Sequence, residues 1–248
     1  MDNLLYVAMT GAKENFNSLA VRGNNLANAS TTGFKADFEQ ARSMQAFGEG
    51  LPTRVFSLAE KPGQNMVNGA INTTGRDLDV AINGDGFIAV TDSTGAEAYT
   101  RDGSLIIDQD GNLKTTSGRS VLDVNGEAIN IQMPVQKIFI NQDGTVAGIP
   151  EGMESSNIEE FAQIKLVKPS IRDVYKGDDG LFRRKDGVKA LEDPTVRLEN
   201  GALEASNVNA AEEMINVIRL QRMFTTQVKL MKTAEEMDQQ SNNLMRIS

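Results

Sequence analysis

The chain has 248 residues, 40% of them apolar, and a formal net charge of −9 from 25 basic and 34 acidic side chains. It contains no Cys, His or Trp, which excludes thiol nucleophiles, disulfides, Ser-His-Asp triads and ordinary zinc sites. The acidic balance also argues against a nucleic-acid partner, because phosphates need a basic face.

The opening Met1-Asp2-Asn3-Leu4-Leu5-Tyr6 has no basic leader and no long apolar run, so neither a cleaved signal peptide nor membrane insertion is expected. Within a first segment, 1–33, the spacing predicts a helix over about 3–27. Leu5, Ala8, Ala12, Phe16, Leu19, Gly23 and Leu26 follow at steps of three or four and make a narrow apolar stripe of coiled-coil type. A stripe this thin leaves a lone helix marginal in water, because packing supplies most helix stability. The pattern stops at the turn formers Asn28-Ala29-Ser30-Thr31-Thr32-Gly33. Residues 34–74 mix Phe34, Phe38, Phe47 and Phe56 with Gly, Gln, Asn and Pro and show no period, so an extended connector is expected.

The middle, 75–200, reads as all-β. Runs such as Leu78-Asp79-Val80-Ala81-Ile82, Phe87-Ile88-Ala89-Val90-Thr91 and Lys137-Ile138-Phe139-Ile140 alternate with Asn83-Gly84, Asp85-Gly86, Asp102-Gly103, Asp110-Gly111, Asn125-Gly126, Asp143-Gly144, Asp179-Gly180 and Asp186-Gly187. Such dipeptides between apolar runs signal hairpins. The last segment, 201–248, is expected to be a long helix, capped by Ser206 or Asn207 and beginning near Val208. Met214, Val217, Leu220, Phe224, Val228, Met231, Ala234 and Met237 recur at helical steps, with Ala211, Ile215 and Ile218 beside them. Roughly 35 residues rise about 50 Å, and that length with heptad spacing suggests a coiled coil. The expected fold is therefore α+β: long N- and C-terminal helices pairing as a coiled coil, antiparallel or parallel, around a central all-β domain of short hairpin-linked strands. Charge divides along the same lines. Residues 1–33 sum to zero and 203–248 to −1, which leaves −8 for 34–202.

Three constellations invite chemistry. Gly84-Asp85-Gly86-Phe87-Ile88-Ala89 fits a dinucleotide pattern, but its glycines precede a β-rich run where that chemistry needs a helix N-terminus, so a hairpin turn is expected. Asp108-Gln109-Asp110-Gly111-Asn112 resembles a calcium loop but lacks the closing Glu, and it too reads as a hairpin turn. The remaining acids sit mostly in turns, where Asp is common for local backbone reasons, and no carboxylate pair stands out. No catalytic, cofactor-binding or metal residue is assigned, and no small-molecule substrate is expected. The methionine-rich stripe of the last 40 residues reads as core. A thin stripe on so long a helix favours burial shared between molecules.

Four motifs in order carry a resemblance. Asn24-Asn25-Leu26-Ala27-Asn28 with Thr31-Thr32-Gly33-Phe34-Lys35 is similar to the N-terminal signature of bacterial flagellar rod and hook axial proteins. Leu78 to Phe87 and Tyr99-Thr100-Arg101-Asp102-Gly103 resemble that family's central motifs; Ile88 departs from the second aromatic common there. Ser206-Asn207-Val208-Asn209, Glu213-Met214, Gln221-Arg222 and Phe224 match its C-terminal signature. The short central region and the opening residues are most similar to its proximal-rod members; distal-rod and hook-type subunits are the alternatives within the family, and an enzyme or adhesin oligomerised by its C-terminal helix is the alternative outside it.

The resemblance implies a non-enzymatic structural subunit of the basal-body rod that crosses the periplasm. It also implies export by the flagellar type III apparatus, and polymerisation with copies of itself and other rod proteins into a hollow shaft. In that role Leu5, Ala8, Ala12, Phe16, Leu19 and Leu26 are expected to pack with Ile215, Ile218, Phe224, Val228 and Met231, partly within and partly between subunits.

Overall fold

The computed structural model describes residues 2–39, 41–45, 55–59, 63–132, 134–152 and 158–245. It is α+β, with helix α1 over Asp2–Ala27, helix α2 over Ala210–Met245 and short strands between them. The chain divides into two compact units that interleave along the sequence. One holds Met1–Ala29, Ala36–Asn65 and Val208–Ser248; the other holds Ser30–Lys35 and Met66–Asn207.

In the helical unit, α1 and α2 pack against each other. Asn15 bonds Gln227 while Arg22 and Asn25 bond Glu213, so partners descend along α2 as they ascend along α1. The pair is antiparallel. At 1.5 Å per residue the 36 residues of α2 rise about 54 Å. The helix starts later than its apolar pattern suggests. Its N-cap is Asn209, whose Oδ1 accepts from the amides of Ala211 and Glu212. Asn207 lies two residues before that cap, where its amide donates to the Phe34 carbonyl and its carboxamide to the Val67 carbonyl.

Described residues within 34–74 form ladders where an extended connector is expected. Asp37–Phe38 pairs with Gly63–Gln64, and Ala41–Gln45 pairs with Val55–Ala59. Ile71–Thr73 pairs with Ala202–Glu204, so residues 202–204, expected at the head of the C-terminal helical segment, form a strand in the β unit.

The β unit is organised around a five-stranded antiparallel sheet in the order Leu166–Val167, Phe87–Thr91, Glu97–Thr100, Phe182–Arg184, Val174–Lys176. A separate three-stranded sheet, Val135–Ile140, Thr145–Pro150 and Glu159–Gln163, shares the core through Ile140 and Val146. The interior strand Phe87–Thr91, second in that order, is covered on both faces. Ile88 and Val90 join a core with Val80, Leu105, Leu113 and Ile140, while Phe87 and Ala89 join Tyr99, Val167 and Phe182 on the other side. Double burial explains why this strand reads as an unbroken apolar run instead of an alternating one.

The glycine turns divide into two kinds. Asp110-Gly111, Asp143-Gly144 and Asp179-Gly180 close hairpins between neighbouring strands, as expected. Gly84-Asp85-Gly86 does not, because Val80–Asn83 pairs with Arg197–Asn200 while Phe87–Thr91 lies in the five-stranded sheet. Asp102-Gly103 is not a hairpin turn either. Its glycine is needed for close approach, since a Cβ there would lie 1.7 Å from the Val80 carbonyl oxygen, and the Val80 amide donates to the Gly103 carbonyl at 3.0 Å. Backbone cannot yield as a flexible side chain can. Gly103→Ala is therefore expected to destabilise the β unit by about 1–3 kcal/mol, read as a lowered midpoint in urea unfolding. An unchanged midpoint would contradict the packing.

Candidate functional site

Two arrangements gather the motif residues. The first lies in the β unit and centres on Glu204, which is almost fully buried together with Lys35 and Arg101. Lys35 Nζ donates to Glu204 Oε1 at 2.7 Å and Arg101 Nη1 to Oε2 at 2.7 Å, while the Gly69 amide reaches Oε1 at 2.9 Å. Lys35 also donates to the Val67 carbonyl, and Arg101 Nη2 to the Gly84 carbonyl. The guanidinium lies 5.6 Å from the centre of the Phe87 ring. The Gly33 amide donates to the Glu204 carbonyl at 2.8 Å, with Gly33 at φ +67°; a Cβ there would lie 2.3 Å from the Arg101 carbonyl carbon, so glycine is required twice over. Phe34 is capped by Lys176, whose Nζ sits 3.7 Å from the ring centre and donates to the Lys35 carbonyl.

The cluster therefore ties 33–35, just after α1, and 204–207, just before α2, into the β unit. Burial alone raises the Glu204 carboxyl, but the Lys35 hydrogen bond, the Arg101 charge and the Gly69 amide outweigh it and hold the group below the ordinary range. Lys35 is pulled below its ordinary value by burial, with Arg101 adding to that against the bond and charge of Glu204. Two cations share one carboxylate, so the carboxylate gains and the ammonium loses. A cavity of about 280 Å³ borders the cluster, lined by Lys35, Met66, Phe87, Arg101, Lys168 and Ile171 among others.

The second arrangement is the α1–α2 seam. Ala12 and Ala234 are buried, and Asn25 is fully buried, bonding both the Asp37 backbone and Glu213. Ala8, Leu19, Leu26 and Met231 are half-buried. Phe16 is 61% and Ile215 59% exposed, and Ile218, Phe224 and Val228 are also exposed. The side chain of Leu5 lies outside the described residues. A groove of about 550 Å³ follows α2 between Ile215 and Gln227, flanked by Arg219 and Arg222.

Of the motif residues, Asn25, Gly33, Phe34, Asn207 and Glu213 take part in these contacts. Asn28 caps the end of α1 by donating to the Asn24 carbonyl, Ser206 and Val208 are half-buried, and Ala27, Gln221 and Arg222 face solvent. Glu204, Gln227 and Asn15 were not singled out by sequence reasoning. For Gln227 the signal available is heptad spacing, since Glu213, Leu220, Gln227 and Ala234 stand seven residues apart; Glu204 and Asn15 carry no such signal. Among the described residues no group of acids is placed to hold a metal ion, and no helix is long and apolar enough to cross a membrane.

Breaking a buried ion pair leaves charge uncompensated, so Glu204→Gln is expected to destabilise the β unit by about 3–5 kcal/mol. The Glu204 carboxyl lies lower in the folded chain than in the unfolded one, so its contribution is present above the ordinary carboxylate value and lost as pH falls through the folded one. Thermal unfolding should show the gap between native chain and variant narrowing below about pH 4.5; a gap independent of pH would contradict the assignment.

Comparison with known proteins follows the same segments. Family models described as flagella basal body rod protein, flagellar hook protein FlgE/F/G D1 domain and flagellar basal body rod FlgEFG protein C-terminal match residues 5–35, 81–148 and 199–244. The chain is 38% identical to the flagellar basal-body rod protein FlgF of Escherichia coli (strain K12), over the whole of both chains. It is 32% identical to FlgF of Caulobacter vibrioides, over 96% of this chain and 95% of that one. It is also 32% identical to the flagellar basal-body rod protein FlgG of Bacillus subtilis (strain 168), over 98% of each. Matched from end to end at these identities, with the motif residues converging in the fold, the chain belongs to the flagellar basal-body rod protein family.

Proposed function

We propose that the chain is a structural subunit of the bacterial flagellar basal-body rod, in its proximal part, and that its terminal helices polymerise into the hollow shaft. The observation that carries this reading, beyond family membership, is the apolar surface that α1 and α2 leave uncovered. Phe16, Ile215, Ile218, Phe224 and Val228 stand exposed in a single chain. Burying one such side chain contributes about 1.5–3 kcal/mol, and a polymer repeats that gain at every subunit. Helices that pair as a coiled coil within a subunit and present apolar stripes outward suit a multi-helix wall. The acidic β unit, with 15 basic and 23 acidic side chains over 30–35 and 66–207, suits an outward position in contact with solvent. The partners are copies of the same chain and other rod proteins, and the route to the rod is the flagellar type III export apparatus. Nothing in this role calls for catalysis, a cofactor or a small-molecule substrate.

Phe224→Asp places an unpaired charge where the shaft needs an apolar contact. The expected result is loss of swimming with rod assembly arrested, while the β unit keeps its unfolding midpoint. Normal swimming by that mutant would overturn the packing role of α2.

A further inference from the structure

The inside and outside of the helical pair are the reverse of an ordinary apolar seam. Glu213 and Gln227 bond α1, and the same seven-residue step carries the half-buried Leu220 and the buried Ala234, so two of the four members of this line are polar. Three residues on, about 60° around the helix, runs Met223, Leu230, Met237, at the same seven-residue step. These are 47%, 57% and 51% exposed. A rotation of α2 by about 60° would turn the polar line out of the seam and bring the apolar one against α1.

Polar bonds oppose that rotation. Asn15 Nδ2 donates to Gln227 Oε1 at 2.8 Å, and Arg22 Nη1 donates to Glu213 Oε1 at 2.9 Å, with Asn25 Nδ2 on the same oxygen at 3.3 Å. Gly11 makes room for the first, since a Cβ there would lie 2.7 Å from Gln227 Nε2. The arrangement carries a cost, because Glu213 Oε2 is buried without a hydrogen-bond partner. Polar groups kept in a helical seam at such a cost specify register and orientation.

We propose that the Asn15–Gln227 and Arg22/Asn25–Glu213 bonds are an orientation lock. They hold α2 so that Met223, Leu230 and Met237 stay outside the intramolecular pair and remain free to take a helix of a second copy, for which the seven-residue repeat is suited. The lock is a property of the single chain; the use of the stripe rests on the rod reading above.

The chain lacks cysteine, so a single introduced thiol reports its own surroundings. Leu230→Cys and Ala234→Cys are made in the full chain, once with the lock intact and once with Glu213→Leu/Gln227→Leu, and maleimide labelling rates are measured. With the lock intact, Leu230→Cys is expected to label about tenfold faster than Ala234→Cys. Without it, the Leu230→Cys rate falls and the difference closes or inverts. Gly11→Ala, which displaces only Gln227, moves the rates the same way by less. An unchanged ratio without the lock overturns the proposal. So does rapid labelling at both sites without it, since the bonds then merely hold the pair together. Swimming separates the two claims: slowed Leu230→Cys labelling in a strain that still swims leaves the lock standing and overturns the stripe's part in the rod.

Discussion

A single carboxylate sets the terms for the β unit. Glu204 sits out of water between Lys35 and Arg101, and its backbone carbonyl takes the Gly33 amide while a side-chain oxygen takes the Gly69 amide. Neither cation could remain buried without it. Around this point the chain brings together residues distant in sequence: the segment that follows α1, the turn before Phe87, the Arg101 segment and the segment that precedes α2. The segments following α1 and preceding α2 are anchored by backbone as well as side chain, the turn before Phe87 by its Gly84 carbonyl and the Arg101 segment by its guanidinium. Residues 33–35 and 204–207, next in sequence to the two helices, are thereby held within the β unit itself.

The helical pair follows a different logic. Its internal seam is small and polar, held by Ala12, Gly11, Gln227, Glu213 and Asn25, while much of its apolar surface is turned outward. A monomer built for its own stability would do the opposite. On the proposed reading the work is divided: directional contacts within the chain set the geometry of the subunit, and non-directional burial between chains would supply the energy of assembly.

Sequence reasoning found what periodicity and turn chemistry encode. The two helices follow from stripes at three- and four-residue steps, and Asp110-Gly111, Asp143-Gly144 and Asp179-Gly180 mark true hairpins. It failed where the same dipeptides serve another purpose, as at Gly103, whose role depends on the Val80 carbonyl some 20 residues away. It placed the start of α2 too early because Asn207 and Asn209 are chemically alike and only tertiary contacts commit the first elsewhere. Nothing local reveals that residues 202–204, inside the segment expected to be helical, pair with Ile71–Thr73. Glu204 was invisible for the same reason: its importance lies in two partners, 169 and 103 residues distant. Ile215 and Phe224, which the stripe marks for packing, are exposed in the single chain.

The central claim is that this chain is part of the rod. Quantitative mass spectrometry of purified, intact basal bodies from the native organism tests it most directly. The account predicts the chain in that fraction, in a fixed ratio to the other rod subunits, and its depletion from the soluble pool as rods assemble. Recovery of the chain only outside basal bodies of normal composition would contradict it.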